Sequence, residues 1–159
     1  MEVSDTAYRT PTRAVVVEIA FDGDRNENVT LFLSTLSETH AGPETLDEVL
    51  NHERDFLPAR SNETEQMLLI RRRAIRSVTV SDDAAAECRT HDATLACVDL
   101  VRLELTGGET IEGTLATVLP SQKPRLSDYF NSGAPAFVPL AIEEGVTFVN
   151  RDFISIVWL

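Results

Sequence analysis

The chain has 159 residues, 43% of them hydrophobic, and a formal net charge of −12 at pH 7. Its length and apolar content suffice for a buried core, and no apolar run reaches the roughly 18 residues of a membrane span. An acidic surface repels phosphate backbones, which makes nucleic acid an unlikely partner. Two cysteines are too few for a disulfide scaffold, so the composition predicts a cytoplasmic protein without membrane contact.

The first predicted elements form a β-hairpin. Residues 1–12 are polar and are predicted to be a flexible N-terminal segment. Residues 13–80 form a first repeat, which begins with two apolar runs, 15–19 and 29–33, on either side of the turn residues 22–24. Such runs around Asp and Gly residues are typical of antiparallel strands.

A short helical insert is predicted after the hairpin, at Leu46–Asn51. Thr45 is a suitable N-cap, and Glu48 lies three residues further on, as the partner in a capping box does. Asn51, and Asn131 at the corresponding place in the second half of the chain, are predicted to end the helical insert with a positive φ, since asparagine tolerates that conformation. Three more strands then complete the repeat, at 56–59, 67–70 and 74–80.

Residues 81–97 are predicted to be a linker that includes a short helix, because Ser81 precedes acidic residues and an alanine run. The linker also holds Cys88, His91 and Cys97, with Asp92 beside them. The cysteines are further apart than in structural zinc sites, so free thiols are predicted, with a disulfide as an alternative and no metal.

The second repeat, residues 98–159, has the elements of the first in the same order. Three segments match in sequence: 126–131 matches Leu46–Asn51 at an offset of 80, 137–139 matches 56–58 at 81, and 146–157 matches 67–78 at 79. Matches in the same order with nearly constant offsets predict a duplicated fold unit. The predicted strands are 100–105, 111–119, 136–142, 146–149 and 153–159.

The repeats resemble the Sm-like family. Residues 101–115 look like its first half, a strand, a glycine turn and a second strand with an internal glycine, Gly113. Residues 70–78 and 149–157 look like its second half, an apolar strand, an arginine-containing turn and a closing strand. The chain thus resembles a bacterial protein with a duplicated Sm-like domain. The resemblance implies a mostly β fold of two tandem five-stranded small β-barrels, each with a short helical insert.

The family also implies ring assembly through edge strands and, often, RNA binding at the turns. Here the second motif reads Arg71-Arg72 in one repeat and Asn150-Arg151 in the other, without the glycine that follows the arginine in the family. The basic cluster of Arg71, Arg72, Arg73 and Arg76, together with Arg151, is the candidate contact for an anion or a partner. The alternative is a turn whose arginines pair with acidic residues of the other repeat.

No catalytic or cofactor motif stands out, so we predict neither enzyme activity nor a cofactor. None of the three histidines has a serine or cysteine nucleophile in a recognisable context. The acidic residues of the insert are out of register, because Asp47 matches Ser127, whereas a duplicated active site should repeat its reactive group in register.

The favoured function is a protein–protein interaction or scaffold module, whose partner is another protein or a further copy of itself. An open five-stranded unit leaves strand edges that need a partner. The last strand, 153–159, is apolar on both faces, which predicts burial in a core or a subunit interface. Two alternatives are an Sm-like RNA-binding protein and a small-ligand-sensing regulatory domain with a pocket between the barrels beside the arginine turn.

Overall fold

The computed structural model describes residues 12–37, 41–81, 97–117, 126–133 and 135–159. The predicted flexible segment up to residue 11 and the linker residues 82–96 lie outside the described residues. His40, Cys88, His91 and Asp92 therefore lie outside them too. Within the described part, no helix is long and apolar enough to cross a membrane.

The protein is mostly β, as predicted, and each strand expected from the sequence is present. The first half contains β1 (Thr12–Phe21), β2 (Asn26–Ser34), α1 (Leu46–Asn51), β3 (Phe56–Ser61), β4 (Met67–Arg71) and β5 (Ile75–Ser81). The second half contains β6 (Cys97–Leu105), β7 (Thr110–Thr117), α2 (Leu126–Asp128), β8 (Phe137–Ile142), β9 (Gly145–Asn150) and β10 (Ile154–Trp158). A π-helical turn, Tyr129–Gly133, continues α2.

The ten strands form one antiparallel sheet that is not closed, with the order β10-β6-β7-β8-β9-β5-β1-β2-β3-β4. Two separate barrels were expected from the sequence, but β5 of the first half pairs with β9 of the second and makes the sheet continuous. Within this sheet the halves have the same internal strand order. The first is β5-β1-β2-β3-β4 and the second is β10-β6-β7-β8-β9.

The strand registers of the two halves also correspond. Phe56 lies opposite Arg71 in the first half, and Phe137 lies opposite Asn150 in the second. β3 therefore corresponds to β8 at an offset of 81, and β4 to β9 at 79, which are the offsets of the sequence matches. β5 corresponds to β10 at 79, and in both strands the pairing shifts at the same place, at Arg76 and at Ser155.

The buried apolar residues form two clusters. Core 1 lies under the first half, and α1 contributes Leu46 and Leu50 to it. Core 2 lies under the second half, where α2 and its continuation bring Leu126 and Phe130 against it. Each short helix thus covers the core of its own half. Helices this short gain their stability from packing against such a core.

The ends of α1 agree only partly with the sequence prediction. Thr45 is the N-cap, and its hydroxyl accepts a hydrogen bond from Glu48 N at 3.3 Å. The Glu48 carboxylate accepts one from Ser37 Oγ at 2.8 Å. The predicted positive φ at Asn51 and Asn131 is wrong: the non-glycine residues with positive φ in the described part are Asp24 and Glu65. Asn51 instead acts through its side chain, which is part of the junction between the halves.

Candidate interaction surfaces at the sheet edges

The arginines singled out in the sequence lie on two corresponding turns. Arg71 ends β4, and its guanidinium lies 6.0 Å from the centre of the Phe56 ring. Arg72 donates a side-chain hydrogen bond to His52 O, and Arg73 is exposed on the same 3-10 turn. Arg151 is exposed on the corresponding turn of the second half. The structure thus brings Arg71, Arg72 and Arg73 together and places Arg151 separately.

Arg76 is different, because its side chain is buried between the two halves. Its guanidinium donates to Asp22 Oδ1 at 3.2 Å and to Glu109 Oε2 at 3.0 Å. Asp22 lies in the β1–β2 turn and Glu109 in the β6–β7 turn, so the bridge joins the halves. The hydrogen bond to Glu109 raises the pKa of Arg76, against the effect of burial, and the contact with Asp22 adds to the rise. The expected pairing with an acidic residue of the other half is thus found at this arginine, with Glu109.

The pairing of β5 with β9 forms the internal junction, the contact that joins the two halves. Its register runs from Ser77 opposite Val149 to Ser81 opposite Gly145. Side chains add to the backbone pairing: Thr79 and Thr147 are hydrogen-bonded at 3.1 Å. The buried Asn150 donates to Ile75 O at 2.8 Å.

Asn51 connects α1 to the second half. Its Oδ1 accepts a hydrogen bond from Phe137 N at 2.9 Å, and its Nδ2 donates to Asp47 O at 2.9 Å. Asn131 makes the corresponding bond within its own half, from Nδ2 to Ser127 O at 2.8 Å. The two asparagines therefore share one local geometry, and Asn51 has a cross-half partner as well.

The internal junction inserts apolar side chains of the second half into core 1. Phe137, Val146 and Phe148, which we call the inserted triad, are buried members of that core. Core 1 also holds five residues of α1 and β5 that are 0% exposed, Val80 and four others that we call the receiving set. The receiving set is Leu46, Leu50, Ile75 and Val78. Core 1 is therefore completed by three side chains from the other half.

Gly145 permits the close approach of the strands at one end of the junction. Its φ is +149°, and a Cβ at this position would lie 2.0 Å from Val80 O. Only glycine fits that distance, so the residue type is explained by the junction and not by a turn alone.

The strands at the two ends of the sheet, β4 and β10, pair on one side only, with β3 and β6, and have no second strand partner among the described residues. No family model, curated protein or solved structure matches this chain. Its function is therefore inferred from its own surface. The two edge strands are the most unusual part of that surface, because they carry almost no charge. β10 carries no charged residue, and β4 carries one, Arg71, at its end.

Register correspondence shows what the free edge at β4 presents. The counterparts of the inserted triad are Phe56, Met67 and Leu69, which we call the free triad. The inserted triad is at most 8% exposed, whereas the free triad is 50%, 61% and 73% exposed. Three side chains in corresponding positions are thus buried at the junction and solvent-facing at the edge.

At the other edge of the sheet, the positions that correspond to the receiving set are also less buried. The counterparts of the receiving set are only half-buried against core 2, and we call them the open receiving set. They are Leu126, Phe130, Ile154 and Val157. Core 1 is closed by the second half, whereas the described residues provide no such cover for core 2.

The last strand is only partly packed in a core of its own chain: Ile154 and Val157 lie half-buried against core 2. Ile156 and Trp158 are 42% and 46% exposed. The Trp158 indole is held against β6, where its Nε1 donates to Glu104 Oε2 at 3.2 Å and the guanidinium of Arg102 lies 5.1 Å from the ring centre. The exposed apolar face of β10 is therefore held in place at Trp158.

An open cavity of about 400 Å³ runs beside β4. Its lining includes Arg25, Leu68, Ile70 and Arg71. Arg25 corresponds by register to Glu109, which at the internal junction binds Arg76 of β5. The cavity therefore lies where an additional strand would pair with β4. The pocket predicted from the sequence was expected elsewhere, between the halves.

Two further groups have unusual environments at α1 and α2. Burial, with a smaller effect of Glu48, raises the pKa of Asp47, and the hydrogen bond from Asn51 opposes that rise. Burial, together with the charge of Asp47, raises the pKa of Tyr129 to about 12. Among the described residues, no three His, Cys, Asp or Glu side chains are arranged to hold a metal ion.

The residues that make the internal junction specific were not predicted from the sequence. Both asparagines stood out, but the hydrogen bond to Asn51 from Phe137 N did not, because the donor lies 86 residues away in the chain. A glycine directly before the predicted strand 146–149 was the available signal for Gly145. The partners of Arg76 had no local signal, because Asp22 and Glu109 lie in turns of different halves.

Proposed function

We propose that this protein is a non-enzymatic, cytoplasmic interaction module that binds other protein chains through the edge strands β4 and β10. An unpaired strand edge presents backbone N–H and C=O groups that a further strand can satisfy. Edges of monomeric proteins are usually protected by charged residues, proline or bulges, and these two strands carry one charge between them.

One observation carries this proposal: the exposed apolar side chains are concentrated at the two edges. In the described part of the chain, nine large hydrophobic side chains are exposed, and five of them lie on β4, on β10 or directly after it. Those five are Met67, Leu69, Ile156, Trp158 and Leu159. Contiguous apolar surface on an acidic protein favours a protein partner over a nucleic acid.

We further propose that each half is an Sm-like small barrel and that the two arose by duplication. The common strand order, the matching registers and the shared bulge in the closing strand support this. RNA binding at the arginine turns is less favoured than protein binding. Arg76 is neutralised by two carboxylates, and Arg71 lies against the Phe56 ring at the β4 edge.

Photo-crosslinking in the cells that express the protein tests this function. A benzophenone side chain is introduced at Leu69 or Ile156, with Val16, which is 61% exposed on the inner strand β1, as the control. We expect protein adducts from both edge positions and fewer from the control. Adducts with RNA, or equal adducts from Val16, would contradict the proposal.

A further inference from the structure

The two edges of the module are unlike each other and complementary. We infer that the partner of each edge is the opposite edge of a second copy of this chain, with β10 of one copy paired to β4 of the next. This inference rests on the proposed function and adds the identity of the partner. The internal junction is its template, because β5 and β9 are the counterparts of β10 and β4.

The template also gives the register between copies. Val78 lies opposite Phe148 at the internal junction, and their counterparts are Val157 and Leu69. Applied along the strand, the same offset gives four antiparallel pairs between copies. They are Ile156 with Ile70, Val157 with Leu69, Trp158 with Leu68, and Leu159 with Met67. All eight side chains are apolar, so the side chains of the two strands are compatible with each other, as their backbone groups are.

Core 2 supplies the matching surface for side chains. At the internal junction, the inserted triad is buried in core 1 together with the receiving set. In the pairing between copies, the free triad of one copy would cover the open receiving set of the next in the same way. Both surfaces are apolar and partly exposed in the single chain, and both would be covered in one step. Removal of such surface from water is the main driving force of association.

Polar groups at the rim fit the same arrangement. Asn131 has the local geometry of Asn51, so its Oδ1 is placed to accept a hydrogen bond from Phe56 N of the next copy, the counterpart of Phe137 N. Arg71 takes the place of Asn150, whose side chain donates to the backbone across the internal junction. Arginine is also a donor and can make a corresponding bond.

Two differences limit the joint between copies. Gln66 takes the place of Gly145, so its Cβ prevents the closest approach and the pairing ends at Met67. Ser155 takes the place of Arg76, so the joint lacks the buried ion pair. A joint made mostly of apolar contacts should depend weakly on salt concentration.

The joint is head-to-tail, and each copy that pairs at β10 still offers its own β4. Repeated pairing of this kind gives a closed ring if the rotation between copies closes, and an open filament if it does not. A single pairing mode thus predicts assemblies larger than a dimer.

The experiment uses purified full-length chain and two variants that each block one edge. Leu69→Lys blocks β4 and Ile156→Lys blocks β10, and both positions are solvent-exposed, so both variants should fold. Val16→Lys is the matched control on an inner strand. Circular dichroism checks the fold, and sedimentation velocity measures the mass over a hundredfold range of concentration.

We expect the wild type and Val16→Lys to form assemblies, each edge variant alone to be a monomer, and an equimolar mixture of the two to form a dimer. The mixture keeps one intact β10 and one intact β4. A single-edge variant that still dimerises would show like-with-like pairing and overturn the inference. A wild type that is monomeric throughout would overturn it too, while protein adducts in the photo-crosslinking experiment would still support the interaction module.

Discussion

The internal junction and the free edges use the same strand positions with different side chains. At the internal junction β5 presents Arg76, Ser77 and Thr79, and its partners include Thr147, Gly145 and two carboxylates. The corresponding positions of β10 are Ser155, Ile156 and Trp158. The contact within the chain is thus specified by polar groups and a glycine, whereas the edges are apolar. This difference suits a permanent contact at the internal junction and a reversible contact at the edges.

The largest expected effect comes from the inserted triad. Phe148→Ala removes a ring that is 1% exposed, and we expect it to lower the free energy of unfolding by about 4 kcal/mol. Leu69→Ala, at the corresponding exposed position, should change it by less than about 0.5 kcal/mol. Urea unfolding below the concentration of assembly measures both. Equal losses would mean that the two positions are not in different environments.

Gly145 should rank next. Gly145→Ala places a Cβ against Val80 O and forces alanine into a φ that favours glycine, at a cost of about 3 kcal/mol. Gln66→Ala at the corresponding edge position should be close to neutral. Thermal unfolding of the two variants compares them, and a neutral Gly145→Ala would contradict the close approach of β5 and β9.

The Arg76 bridge should respond asymmetrically to the loss of its partners. Asp22→Asn with Glu109→Gln leaves a buried guanidinium without a counter-charge, and we expect a loss of about 3 kcal/mol. Arg76→Met leaves two carboxylates that reach water, with a loss of about 1 kcal/mol. Urea unfolding of both variants gives the order. A larger loss for Arg76→Met would contradict the expectation that a buried guanidinium without its two carboxylates is the costlier state.

The asparagines offer a finer comparison. Asn51→Ala removes the bond from Phe137 N, and we expect a loss of about 1.5 kcal/mol, since a buried donor is left unpaired. Asn131→Ala should cost less than about 0.5 kcal/mol in the monomer but weaken assembly. Unfolding and sedimentation of each variant separate these effects. An Asn131→Ala chain that assembles like the wild type would remove this asparagine from the proposed joint.

The smallest expected effect is the pH response of Asp47. Its folded pKa lies above the ordinary value of 3.8, so below that value the carboxyl is neutral in both states and costs nothing. As the pH rises through the folded pKa, the buried group must ionise and its favourable contribution is lost. Asp47→Asn should therefore gain stability relative to wild type as the pH increases. Unfolding at pH 3 and pH 7 tests the sign, and a gain at the lower pH would contradict it.

Local patterns in the sequence predicted the strands well, because alternation and turn residues report which segments pair. The offsets between the matching segments even predicted the register correspondence of β4 with β9 and of β5 with β10. The continuous sheet was not predicted, since nothing local to β5 or β9 states that they meet. The positive φ predicted for Asn51 was wrong for the same reason, because the partner that its side chain binds is far away in the chain.

The pairing of β10 with β4 between copies is tested most directly by crosslinking two single-cysteine chains. In a background with Cys88→Ser and Cys97→Ser, one chain carries Leu69→Cys and the other Val157→Cys, and a short bis-maleimide is added to their mixture. The account predicts a covalent dimer from the mixture and almost none from either chain alone. It also predicts none when Val16→Cys replaces Leu69→Cys. Dimers formed by one of the chains alone, or no dimer from the mixture, would contradict it.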